Sequence, residues 1–181
     1  MKPNSLKTPL ILVNLKCYTE SIGNGAHRIA RAAREVSDES GVTIGLAPLY
    51  PDIHPINHHY DIPVFAQHVD PIEPGAHTGR IPLLAVKSAG AIGSLVNHSE
   101  YRLNIADIEK NVTALRESGM LSCVCSNNIA TTAALSALGP DYVAIEPPEL
   151  IGGKISVSEA NPGIITGSVD VVRKINSSVK V

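Results

Sequence analysis

The chain has 181 residues, with 15 Lys and Arg against 17 Asp and Glu for a net charge of −2, so it carries no bulk field that would recruit nucleic acid or an anionic membrane. Any anionic ligand must be held by local groups, and a small phosphorylated metabolite fits that requirement. Hydrophobic residues make up 44% and Trp is absent, so one core of Val, Ile, Leu and Ala is expected, and 1–181 reads as a single domain.

The first apolar run, Leu10 to Val13, is too short for a membrane span, and the residues before it lack the pattern of a signal peptide. Ala26, Ile29, Ala30, Ala33 and Val36 then recur at helical spacing, with Arg28, Arg31, Arg34 and Glu35 mostly on the other face. Val42 to Ala47 reads as a second strand. Pro51, Pro55 and Pro63 make the next connection short or irregular before a strand at Ile62 to Ala66. A fourth run, Ala91 to Val96, precedes a helix marked by Ile105, Ile108, Val112 and Leu115 and capped by Asn104. Leu121 to Val124 and Tyr142 to Ile145 follow, then a helix carrying Ile165, Val169 and Val172, and a last strand starting at Val179. Cys17, Cys123 and Cys125 show no CxxC spacing, which fits reduced thiols in the cytoplasm. Cys123 and Cys125 lie two apart in an apolar run and should pack on one strand face.

These runs are continuously apolar and alternate with helices about six times, which argues for βα units and a parallel sheet covered on both faces. The turn after the first strand is Asn14-Leu15-Lys16-Cys17, with no GxGxxG, so a barrel is favoured over an open nucleotide-binding sheet. A closed eight-fold barrel usually takes about 250 residues. The expectation is an incomplete (β/α)8 barrel of about six βα units plus the start of strand seven.

Chemistry concentrates where the strands end. Ala144-Ile145-Glu146 closes an apolar strand on a carboxylate and runs into Pro147-Pro148-Glu149-Leu150-Ile151-Gly152-Gly153, a loop stiffened by proline and hinged by glycine. A base beside a lid indicates isomerase chemistry. Val13-Asn14-Leu15-Lys16 and Val96-Asn97-His98-Ser99-Glu100 likewise set titratable groups just after strands, where parallel barrels build their sites.

VNLK, AQH at 66–68, GAHTGR at 75–80, NHSEYR at 97–102 and IEPPELIGG at 145–153 occur in order along essentially the whole chain. Together they resemble the triosephosphate isomerases, especially their archaeal form. The resemblance implies a TIM barrel that interconverts dihydroxyacetone phosphate and D-glyceraldehyde 3-phosphate in glycolysis and gluconeogenesis, with no cofactor. It assigns Glu146 as the base, His98 as a neutral electrophile, and Asn14 with Lys16 as the substrate-binding pair. Glu100 becomes an acid near the lysine and histidine, and Gly152 a lid position whose N–H reaches the substrate phosphate. Ser99 would cap the next segment and Arg102 would make ion pairs near a subunit contact. Glu149 is a nearby decoy inside the loop. The lid reads Ile151-Gly152-Gly153-Lys154 where the family has IGTG, and the added glycine would loosen it.

His68 and His77 flank a segment resembling the family's dimerisation loop, with Thr78 in place to enter a partner's site, which implies a homodimer or homotetramer. His54 and His58 are four apart, but Pro55 between them should break the helix and no Asp or Cys completes a site, so no metal is expected. The family's phosphate-binding turns after strands seven and eight would follow Val181. The alternative is therefore a non-catalytic truncated fragment without a competent phosphate site.

Overall fold

The computed structural model describes residues 6–148 and 157–181. Among the described residues, six parallel strands run in chain order, β1 (Leu10–Asn14), β2 (Thr43–Ala47), β3 (Phe65–Ala66), β4 (Gly93–Val96), β5 (Leu121–Ser126) and β6 (Tyr142–Ile145). Each is laid beside the one before. β1 pairs with β2 and β3 to β6 form a second ladder, and a parallel bridge between Leu46 and Val64 joins the two. Lys180 bridges to Tyr142 on the far side of β6, placing the start of a further strand where the run beginning at Val179 is expected.

The helices are α1 (Asn24–Ser40), α2 (Tyr50–His59), α3 (Leu83–Ser88), α4 (Ile105–Glu117), α5 (Ile129–Ala137), α6 (Val157–Ala160) and α7 (Pro162–Ile175), with a 3-10 turn at Thr19–Ser21. Asparagine side chains start three of them: Asn104, Asn128 and Asn161 accept from the amides of Asp107, Thr131 and Ile164. Each satisfies a donor that the first helical turn leaves open. Gly41 ends α1 in the left-handed conformation at φ 71°, where glycine avoids the steric cost of a Cβ.

Alternate strand residues divide between two cores. Ala47, Phe65, Leu95, Leu121 and Cys123 meet inside the barrel, while Leu46, Val64, Val96 and Val124 pack outward with Ala26 and Ala30 of α1, Ile53 and Ile56 of α2, and Ile108, Val112 and Leu115 of α4. β1 is the exception on its outer face, where Ile11 is 52% and Val13 37% exposed.

One expectation needs correction. Pro55 lies inside a ten-residue α2 and does not break it. Proline costs a helix interior about 3 kcal/mol. Ile53 and Ile56, on either side of it, are both fully buried, and each such burial contributes about 1.5–3 kcal/mol. The two isoleucines therefore match or exceed the penalty, and Pro51 in the first turn uses a position where no N–H is needed.

Candidate active site

Parallel strands bring their C-terminal ends to one face, and the residues after β1, β4 and β6 gather there. Asn14 ends β1, and its Oδ1 accepts from the Lys16 amide at 3.0 Å, which helps hold Lys16 at φ 50°. The Lys16 ammonium then pairs with Glu100 Oε1 at 2.8 Å. Hydrogen bonding to Glu100 is the main reason its pKa is raised, against a smaller opposing effect of burial.

His98 sits two residues beyond β4. Its Nε2 is 2.9 Å from Glu146 Oε1, and its Nδ1 receives the main-chain N–H of Glu100 at 3.2 Å. An amide can only donate, so Nδ1 accepts in this contact and Nε2 carries the proton that faces Glu146. With that tautomer, the approach of Asn14 Nδ2 to Nε2 at 3.3 Å sets two donors side by side and is a close contact, not a hydrogen bond.

Glu146 follows β6, and its amide donates to Ser126 O at 2.7 Å. Its second carboxylate oxygen accepts the Ser99 amide at 3.1 Å. Burial pushes the Glu146 pKa upward, but the hydrogen bond with His98, with the Ser99 amide and Arg102, outweighs it and leaves the pKa below the usual carboxylate value. Cys125 lies close beneath. Its thiol is held well above the ordinary value by burial first, with Cys123 and the Glu146 carboxylate adding to it, and burial takes Cys123 to about 12. Both cysteines are buried as expected, and Cys17 is exposed.

Asn97 connects this face to the fold. It takes a left-handed φ of 62°, its Nδ2 donates to Cys125 O at 2.9 Å, and its Oδ1 accepts from the Leu103 amide at 2.9 Å. Arg102 donates to Asn97 O at 2.6 Å, so its hydrogen bonds go to main-chain carbonyls where ion pairs near a subunit contact are expected. Ser99 does not cap the following helix, a part taken by Asn104, and its Oγ is buried with no hydrogen-bond partner among the described residues. Neither Asn97 nor Gln67, whose Nε2 donates to Lys16 O and Ala47 O, is given a role by sequence reasoning. The one available signal for Asn97 is asparagine's tolerance of left-handed backbone directly after a strand.

A cavity of about 290 Å³ lies beside these groups, lined by Asn14, Lys16, Gln67, His98 and Glu100 with Cys17, Tyr50, His68 and Tyr101. A larger one of about 500 Å³, lined in part by Arg116, Asp141 and Lys180, lies at the opposite ends of β5 and β6 and holds none of them. Gly152 and Glu149 lie outside the described residues.

The family model for triosephosphate isomerase matches residues 9–181. The chain belongs to the triosephosphate isomerase family. It is 57% identical to a triosephosphate isomerase of Methanoculleus marisnigri over 97% of this chain and 79% of that relative. It is 53% identical to one of Methanococcoides burtonii over 96% of this chain and 78% of that relative. The crystal structure of triosephosphate isomerase from Bartonella henselae superposes with a TM-score of 0.71 at 18% identity, covering 92% of this chain and 74% of that one, which supports the TIM-barrel fold. The archaeal triosephosphate isomerase relatives agree with the archaeal-type resemblance, and family membership makes the chain an isomerase. Among the described residues, no helix is long and apolar enough to cross a membrane.

Proposed function

We propose that the chain interconverts dihydroxyacetone phosphate and D-glyceraldehyde 3-phosphate through an enediolate, with Glu146, His98 and Lys16 as catalytic residues. The observation that carries the assignment is the 2.9 Å contact between Glu146 and His98, which joins the ends of two separate strands at a site where Lys16 contributes from a third. Glu146 removes a proton from the carbon next to the substrate carbonyl and its conjugate acid returns it to the neighbouring carbon. The Nε2–H of His98 hydrogen-bonds the carbonyl oxygen as it becomes an enediolate, then serves the adjacent oxygen. Lys16, with Asn14, offsets negative charge on the phosphate and the enediolate, Glu100 steadies Lys16, and Gly152 offers its N–H to the phosphate.

The chain is further proposed to act as a homodimer or homotetramer in the cytoplasm. The segment 73–80 is exposed along its length in the single chain and is anchored by Arg80 Nε on Asp70 Oδ1 at 2.8 Å, as expected of a loop built to enter a second copy. The deciding experiment is isomerisation of glyceraldehyde 3-phosphate by the purified chain beside Glu146→Asp. Activity lost in the variant supports the assignment; no activity from the folded parent chain would return the non-catalytic reading.

A further inference from the structure

Helix α2 runs unbroken through Pro55, so His54 and His58 stand one turn apart on the same helical face. Their rings are nearly parallel at 19°, with centroids 6.1 Å apart, and both residues are exposed. Two histidines at this spacing on one helix form a recognised pair of metal ligands. Imidazole suits Zn²⁺, Ni²⁺ and Cu²⁺, and exposed rings can rotate to bring one nitrogen each to about 2.0–2.1 Å from a shared ion.

The neighbours define what kind of site this is. The helix has one carboxylate, Asp52, which is buried and accepts from the Gly23 amide at 3.0 Å, so it is committed elsewhere. His59 points edge-on to His58, and its Nδ1 donates to Pro55 O at 2.8 Å. Among the described residues, no group of three or more metal-binding side chains is assembled. Water must therefore fill the remaining positions, and the ion will exchange readily.

We propose that His54 and His58 form a two-imidazole site for a divalent transition-metal ion on the outer helical layer, separate from the isomerase residues. The test is titration of the untagged full chain with Ni²⁺, read by calorimetry and by melting temperature. One Ni²⁺ per chain and a higher melting temperature are expected. Both effects should vanish in His54→Ala and in His58→Ala and persist in His27→Ala. Because both side chains are exposed, each variant should match the parent in circular dichroism and in melting temperature without metal, so loss of binding is separable from loss of fold. No saturable binding at millimolar Ni²⁺ overturns the proposal. So does binding that survives the double variant, or that depends on His27 and His59, whose rings lie 5.7 Å apart between α1 and α2.

Discussion

Glu146 Oε1 lies 2.9 Å from the Nε2 of His98, so in this arrangement the carboxylate rests on the group that would polarise the substrate. Substrate must part them, and the catalytic contribution of Glu146 then depends on its reach. Glu146→Asp withdraws the carboxylate by one methylene and should lower kcat about 10²–10³-fold with a small change in KM, since misplacement of this size and loss of base catalysis each cost on that scale. Glu146→Gln should lose more. Steady-state kinetics in both directions would show it, and equal turnover by Glu146→Gln would remove Glu146 from the chemistry.

Asn97 sets where His98 begins. Asn97→Ala removes one buried and one part-buried hydrogen bond and leaves at φ 62° a residue without the short polar side chain that lets asparagine tolerate left-handed backbone, for an expected loss of about 2–4 kcal/mol. Asn97→Gly keeps the backbone conformation and loses only the bonds, so it should cost less. Urea denaturation of the two variants gives the ordering. A larger loss for glycine would show that left-handed strain is irrelevant there.

Stability should fall on acidification in two stages. Burial holds the His68 pKa below its ordinary value, so the unfolded chain binds that proton more readily. The stabilising contribution is complete above the unfolded value near 6.5 and is lost as pH falls toward the folded one. Burial raises the Asp70 pKa, but the Ile81 amide, His68 and Arg80 outweigh it and bring the net value down. Glu146 is also depressed overall, so both contributions are present above about pH 4 and drain away below it. His68→Gln should flatten the first stage and Asp70→Asn the second. Melting temperatures from pH 8 to pH 3 would test this, and a profile unchanged by His68→Gln would exclude the histidine.

Gly93 leaves no room for a side chain in the barrel interior. An added Cβ would meet Leu121 O and the Phe65 ring, each at 2.5 Å, and neither a ladder carbonyl nor a fully buried ring can give way cheaply. Gly93→Ala should cost about 1–3 kcal/mol, measured by chemical denaturation. A neutral result would mean that β3 and β5 can separate without loss.

Strand positions were readable because residues buried on both faces give uninterrupted apolar runs, and β6 matches its run end to end. β3 was not, since only Phe65 and Ala66 of the run from Ile62 form ladder pairs with β4. Pro63 has no N–H, and Val64 reaches a different strand through Leu46. α2 was hidden by Pro55, whose cost is visible in the sequence while the burial of Ile53 and Ile56 is not. α5 is rich in alanine with no clear polar face, so its sequence carries no helical periodicity to read. At the site, titratable residues just after strands could be named because a parallel sheet collects its C-terminal ends. Gln67 and Asn97 could not, because they act through carbonyls 51 and 28 residues away, and no local pattern encodes such a bond.

The left-handed backbone at Lys16 narrows what this position can become. The Asn14 side chain holds the Lys16 amide and Gln67 holds its carbonyl, so the main chain is tied at both ends whatever side chain it bears. A β-branched replacement would meet a steric penalty before its chemistry was ever sampled, whereas an unbranched cation could inherit the fold unchanged. Mutational drift at this site is thereby channelled: the accessible neighbours of lysine are those that keep a flexible stem, and arginine is the one that also keeps the charge.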